Sequence, residues 1–352
     1  MNAANSSMPL GVAVIGAGRM GKHHARIYAR LPACRLIAIV DRDIERAREI
    51  AGEFGGTACA SISDIPEGIE AASVAVPTVY HADAAIPLME RGVSVLVEKP
   101  LAHDSTTARR LVEASRKFHR VLQVGHSERF NPVVRAMLRM EVSPRFIEAQ
   151  RVSPFTFRSA DIGVVFDMMI HDIDIMLHLV REPVHSFDAV GVNVLGPHED
   201  VANARIRFAG GAVANLTASR LALKTDRRIR VFCPTAYVTM DYQKKSGIAI
   251  KLADNLDLIR MAREHNFDDL SQMANLDFGS MMKIDPLVVD DVEPLRAEIE
   301  SFVESVRTGQ STGVSAEEGL AAVELAERIT QSIREQDWGR GLLPATEVGS
   351  EK

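Results

Sequence analysis

Three groups of residues have the types and spacing that chemistry requires. The first is Gly16, Gly18 and Gly21, at G-x-G-x-x-G spacing between an apolar run, Leu10 to Ile15, and a helical segment that reaches about Leu31. A second apolar run, Arg35 to Val40, ends on Asp41, 20 residues after Gly21. Strand, glycine turn, helix, strand and acid in that order suit a dinucleotide. Gly16 permits the tight turn, and Gly18 lets backbone N–H groups approach a pyrophosphate. Gly21 lets the helix pack on the strand, while the helix N-terminus supplies partial positive charge. Arg19 and Met20, inside the motif, belong to the same cofactor set. Asp41 is suited to both adenosine ribose hydroxyls, which favours NAD; Arg42 beside it suits a 2′-phosphate, so NADP stays open.

The second group is a lysine at a strand end. Val93 to Val97 is apolar and runs into Glu98-Lys99-Pro100. Ligands of open parallel sheets bind beyond the carboxyl ends of the strands, which directs Lys99 toward a bound cofactor. Pro100 holds Lys99 in extended geometry and so fixes where its side chain points. The plain alternative is a solvated surface lysine. The same rule puts Pro77, Thr78 and His81, after the run Ala71 to Val76, beside the cofactor together with Glu98; His81 is read as cofactor-proximal and not catalytic. His23 and His24 open the helix behind the glycine turn, to touch the cofactor or to lie on the surface.

The third group lies within Ile162 to Val180. Asp167, His171, Asp174 and His178 stand four, three and four residues apart, and nearly every other position is Ile, Val, Met, Leu or Phe, with Asp172 the exception. On a helix this spacing makes one polar stripe. Such a stripe must face water, another polar surface or a pocket; a solvent face usually carries Lys, Glu and Arg, whereas this one carries only Asp and His. Imidazole titrates near neutral pH, and a carboxylate one turn away would raise its basicity. Asp and His one turn apart could also hold a divalent metal, but the stripe has neither a cysteine nor an H-E-x-x-H pattern, so none is expected there.

The elements that must position these residues follow from patterning. After Asp41, helices at Ile44 to Phe54, Val79 to Arg91 and Asp104 to His119 alternate with strands at Thr57 to Ala60, Ala71 to Val76, Val93 to Val97 and Val121 to Val124. Pro87 is expected to kink or shorten its helix. This is an α/β pattern, a parallel doubly wound sheet closing near Gly125. From His126 the pattern becomes α+β. Helices at Asn131 to Met140 and Ile162 to Val180 accompany β-like runs at Phe146 to Val152, Ser186 to Val194, Ala202 to Phe208, Ala212 to Leu221, Arg228 to Phe232 and Ala236 to Tyr242. Turns at Ala209-Gly210-Gly211 and Cys233-Pro234-Thr235 suit antiparallel hairpins. Ala253 to Asp291 is weakly patterned and reads as a long excursion with a helical piece; helices at Glu293 to Arg307 and Ala316 to Gln336 end the fold. The expected domains are 1–125, a dinucleotide-binding domain, and 126–340, a substrate and oligomerisation domain with a mainly antiparallel sheet. Residues 341–352 form a loose tail.

Composition sets bounds. The chain has 352 residues, 46% of them hydrophobic, enough for two cores. A net charge of −6 without a basic run argues against nucleic acid or an anionic membrane as the main partner. Cys34, Cys59 and Cys233 are scattered in apolar contexts, as reduced thiols of a cytoplasmic protein would be. Met1 to Pro9 lacks a signal peptide's apolar core, and no stretch reaches the ~20 apolar residues that span a bilayer.

Together, GAGRMG at residues 16–21, Glu98-Lys99-Pro100 and the D-x-x-x-H of Asp167 and His171 resemble the Gfo/Idh/MocA oxidoreductases, from Leu10 to about Gln336. The resemblance implies a Rossmann domain followed by an α+β domain whose large open-faced sheet serves oligomerisation, hence a homodimer or homotetramer. It implies an NAD(P)-dependent dehydrogenase acting on a CH–OH group. Lys99 would polarise the reacting oxygen, His171 exchange the hydroxyl proton, and Asp167 orient or charge-tune the pair. Many members carry two or three glycines before the catalytic Asp; here the residues are Gly163, Val164, Val165 and Phe166, so a substrate is not inherited from sugar or inositol enzymes. The run His126 to Pro132 and the helix MMIHDIDIM are similar to relatives that oxidise UDP-N-acetylglucosamine at C3 for a partner aminotransferase. On that reading Arg129, Arg151 and Arg158 are available for the diphosphate, with Asp174 also on the substrate side. Two further readings stand beside it: a catalytically silent NAD- or sugar-binding regulator, and an enzyme of a non-nucleotide polyol, dihydrodiol or tetrapyrrole.

Overall fold

Apolar β-branched runs without polar alternation build strands that can be buried on both faces. In this computed structural model, which describes residues 8–140, 142–156, 162–234, 236–252 and 282–336, they are β1 (Leu10–Ile15), β2 (Cys34–Val40), β3 (Thr57–Cys59), β4 (Ala71–Val74), β5 (Ser94–Glu98) and β6 (Leu122–Gly125). Their order is β3-β2-β1-β4-β5-β6, every neighbour parallel. The order reverses between β1 and β4, where the carboxyl ends of an open sheet leave a crevice.

Four helices cover this sheet: α1 (Arg19–Tyr28), α2 (Ile44–Phe54), α3 (His81–Glu90) and α4 (Ser105–Phe118). Asp104 caps α4 by accepting the Thr107 N–H at 2.7 Å. Contrary to expectation, α3 runs on past Pro87 to Glu90. A proline inside a helix costs about 3 kcal/mol. Leu88 and Met89 beyond it are fully buried, and each such side chain stabilises by about 1.5–3 kcal/mol, so packing wins.

Period-two alternation gives the second sheet: β7 (Phe146–Val152), β8 (Val184–Val192), β9 (Val201–Phe208), β10 (Val213–Ser219), β11 (Asp226–Phe232), β12 (Ala236–Asp241), β13 (Ser246–Leu252) and β14 (Met282–Pro286). The order is β14-β13-β12-β11-β7-β10-β9-β8, antiparallel except where β7 meets β10. Helices α5 (Pro132–Leu138) and α6 (Ile170–Val180) lie against one face. Gln150, Asn203, Arg205 and Arg207 leave the other open to solvent. β13 and β14 are a correction to the sequence reading, which gave no strand after Tyr242. Their pairing joins segments on either side of residues 253–281, and separation in sequence hides it. The helical piece expected in Ala253 to Asp291 lies largely outside the described residues, as does the tail.

The C-terminal helices α7 (Pro294–Thr308) and α8 (Ala316–Glu335) return to the first sheet. Ile299, Phe302 and Val303 of α7 share a buried cluster with Leu10, Val12, Val14 and Tyr28. α8 packs on both α4 and α6 and so spans the two sheets. Among the described residues no helix is long and apolar enough to cross a membrane.

Candidate active site

The glycine turn has the geometry its spacing calls for. Gly16 sits at φ +102°, where a Cβ would lie 2.6 Å from the Ala75 carbonyl oxygen. A Cβ on Gly21 would lie 1.7 Å from the Gly16 carbonyl oxygen, so α1 packs directly on the turn. Over Gly18, by contrast, a Cβ would meet nothing within 4 Å. The first turn of α1 has no side-chain cap and no acidic residue, which leaves its N–H groups for an anion. Asp41 stands at the mouth: its Oδ2 accepts the Ala17 N–H at 2.6 Å and its Oδ1 the Asp43 N–H at 2.9 Å. Exposed Arg19 and half-buried Met20 flank this cradle, and Arg42 lies over the Tyr80 ring at 4.7 Å. Pro77 and Thr78 enter from the turn after β4. An open Gly18, uncapped N–H groups and a carboxylate at the rim fit a dinucleotide.

Two expected cofactor contacts, His81 and Glu98, are engaged elsewhere, as is His24, whose place was open between cofactor and surface. His81 is 1% exposed, with its ring nitrogens 3.2 Å from the Leu101 carbonyl and 3.1 Å from the Val76 carbonyl. It staples the ends of β4 and β5, and burial pushes its pKa down. His24 and Glu98 belong to a buried chain. Tyr28 Oη bonds Ser73 Oγ at 2.8 Å, Ser73 Oγ bonds His24 Nδ1 at 2.8 Å, and His24 Nε2 bonds Glu98 Oε1 at 2.9 Å. Burial alone would raise the Glu98 carboxyl; the His24 bond and the charges of His24 and Lys99 bring it below the usual range. Glu98 also accepts the Lys99 N–H at 3.2 Å, so it fixes the strand end that carries the lysine.

Lys99 and Asp167 meet. Lys99 Nζ donates to the Asp167 carbonyl at 2.7 Å and lies 3.5 Å from its carboxylate. Residues Val165–Met169 form a π turn before α6, not the α-helix the spacing predicts. π turns lack the usual ladder and recur at functional sites; here the Asp167 carbonyl faces the lysine. Glu199 anchors this turn by accepting the Val165 N–H at 3.2 Å, and its carboxylate fills the space beside Gly163. Burial lowers the Lys99 pKa, with Asp167 and Glu98 opposing it.

His171 is half-buried, and its buried Nδ1 has no hydrogen-bond partner among the described residues. Its pKa falls well below the ordinary histidine value because of burial, then the charges of Lys99 and Arg151. This corrects the expectation that a carboxylate one turn away would raise its basicity. The Asp167 carboxylate turns to Lys99, Asp174 turns to an arginine, and desolvation decides. His171 is therefore neutral at pH 7, the state a proton acceptor needs.

The other half of the stripe is structural. Arg129 donates to both oxygens of Asp174 at 2.8 Å, and its Nη1 contacts Glu318 at 2.8 Å and His178 Nδ1 at 2.6 Å. Arg151 is likewise bidentate to Asp172, at 2.9 Å twice, with its guanidinium 5.2 Å from the Tyr242 ring. Arg129 with Asp174, and Arg151 with Asp172, are thus two buried ion pairs, and a diphosphate role for either arginine would require breaking its pair. Arg158 lies outside the described residues. Among those described, no group of His, Cys, Asp and Glu is arranged to hold a metal.

Sequence reasoning missed His126. It follows β6, is 0% exposed, and stands edge-on to His171 with ring centroids 6.3 Å apart; neither of its ring nitrogens has a partner among the described residues. Its position just past a strand end was the signal.

Two family models match the chain. One, described as an oxidoreductase family with an NAD-binding Rossmann fold, spans residues 10–126; the other, the GFO/IDH/MocA C-terminal domain, spans residues 134–239. A UDP-N-acetylglucosamine 3-dehydrogenase from Acidithiobacillus ferrooxidans is 37% identical over 231 residues, 65% of this chain and 73% of that protein. A solved structure of a protein so named, from the same organism, superposes with TM-score 0.82 at 28% identity, covering 93% of this chain and 98% of the other. An inositol 2-dehydrogenase from Rhizobium meliloti is 26% identical over 341 residues, 92% of this chain and 96% of that protein.

Proposed function

The chain belongs to the GFO/IDH/MocA oxidoreductase family, and we propose that its substrate is a nucleotide sugar oxidised at a ring hydroxyl, C3 of UDP-N-acetylglucosamine. Bound NAD supplies the hydride acceptor. Lys99 donates a hydrogen bond to the reacting oxygen and stabilises the negative charge that grows there as the O–H bond breaks. Neutral His171 takes the proton. Asp167 holds Lys99 until substrate oxygen replaces its carbonyl, and Glu98 with His24 keeps the strand end in place. The observation that carries this reading is a half-buried imidazole with an unspent, buried Nδ1, four residues along from the Asp167 whose carbonyl holds the strand-end lysine. The 37% identical relative supports the choice of sugar.

A second reading, a cyclic polyol as substrate, is favoured by the inositol 2-dehydrogenase that aligns over nearly the whole chain. The test mixes purified protein and NAD with UDP-N-acetylglucosamine, UDP-glucose or myo-inositol and follows NADH, with the reverse reaction run from the 3-keto sugar. NADH from the UDP-amino sugar alone supports the first reading; NADH from inositol alone rejects it. We also assign the open face of the second sheet to contact with another copy of the chain. Val190, Val192, Phe232, Ile248 and Ile284 expose apolar surface there, and a monomer by sedimentation would refute that assignment.

A further inference from the structure

β11 carries arginines on both faces. On the open face Arg228 pairs with Asp226, and Arg230 with Glu148 at 2.9 Å. Arg227 points the other way, in register with Arg151 of β7 and toward the side where α6 lies. There its neighbour Arg151 is already committed to Asp172. Arg227 itself makes no side-chain hydrogen bond among the described residues. Its Nε is buried and unpartnered. Its nearest carboxylate, Glu128, is 3.8 Å from Nη1, beyond hydrogen-bond distance, and is shared with Arg151 at 3.3 Å. Yet 41% of the side chain reaches solvent.

A guanidinium with unspent donors and a desolvated Nε is a poor structural choice, because each buried donor left unmade costs free energy. Burial and the adjacent Arg151 both work against its charge. An arriving oxyanion would relieve both, and the planar fork matches a pair of phosphate oxygens. Arg227 also acts electrostatically on His171 and Asp167 without touching either. It therefore lies near the Lys99, Asp167 and His171 group and is bonded to none of it.

We infer that Arg227 is the anion-recognising residue of the substrate pocket, holding a phosphate or diphosphate group of the sugar. This deepens the nucleotide-sugar reading and rests on it for the identity of the sugar. It replaces Arg129 in the role that the sequence had offered it.

The test measures binding of inorganic pyrophosphate and of UDP by calorimetry, with NAD saturating so that the cofactor cradle is filled. Wild type, Arg227→Met and Arg227→Lys are compared with Arg228→Met, the same change one residue along on the opposite face. Loss of a charge-assisted hydrogen bond predicts about 10- to 100-fold weaker binding for Arg227→Met. Arg227→Lys is intermediate, keeping charge but losing the fork, and Arg228→Met binds as wild type does. Where a UDP-sugar is turned over, the change falls on KM more than on kcat. Equal binding by wild type and Arg227→Met overturns the inference, as does wild type that binds neither probe. Pyrophosphate binding that depends on Arg227, in a protein that oxidises no UDP-sugar, upholds the anion site and removes only the proposed substrate.

Discussion

Replacing Arg129 separates two roles that the same residue could have. As a surface ligand for a diphosphate, Arg129→Met would leave unfolding within about 0.5 kcal/mol of wild type and would raise KM. The structure predicts the reverse. The side chains of Arg129 and Asp174 are only 4% and 1% exposed and share two hydrogen bonds of 2.8 Å. Removing one partner of such a pair leaves an uncompensated buried charge and costs about 3–5 kcal/mol. Little of that comes from Glu318, whose side chain is 35% exposed and keeps the Ser315 N–H at 2.8 Å; an exposed pair is worth about 0–1 kcal/mol. The assay is urea unfolding of the cofactor-free protein, followed by circular dichroism. Arg129→Met should lose several kcal/mol, and the double variant with Asp174→Leu should recover much of it, because apolar replacement of both partners is close to neutral. Wild-type stability for Arg129→Met, together with a raised KM, would refute the buried-pair assignment.

Four further outcomes follow from the site. With His171 as the proposed proton acceptor, the acid limb of kcat/KM should lie below pH 6.5, because only its neutral form takes a proton and burial depresses its pKa, so activity persists as pH falls through the ordinary histidine range. His171→Gln should cut turnover by about 10²–10⁴ while NADH binding, read by fluorescence, is retained. Asp41→Ala should weaken NAD binding about tenfold or more and narrow its preference over NADP, since Arg42 remains; an unchanged preference would remove Asp41 from ribose recognition. Gly21→Ala should abolish NADH binding and lower the thermal midpoint, because its Cβ would meet backbone at 1.7 Å and the turn must move; a variant that binds normally contradicts this packing.

What could be read in the sequence was local. The order β1, glycine turn, α1, β2, Asp41 is set by neighbours in the chain, and the structure keeps every part of it. The inward and outward alternation of β7 to β12 is equally local, a consequence of the strand's period of two. What could not be read depends on residues that arrive from afar. β13 and β14 pair across a long interval, α7 returns to the first sheet, and Arg151 reaches Asp172. The stripe on Ile162 to Val180 makes the point within one element. Asp and His on an apolar helix announce buried polarity, and that alone does not separate catalysis from structure. The separation comes from whether the fold delivers a partner. To Asp174 and His178 it delivers Arg129, from 45 residues before Asp174. Among the described residues it delivers none to His171 Nδ1 or to either ring nitrogen of His126. Unspent polar atoms in a desolvated place are costly to keep, and a site that keeps them beside Lys99 keeps them for what binds there.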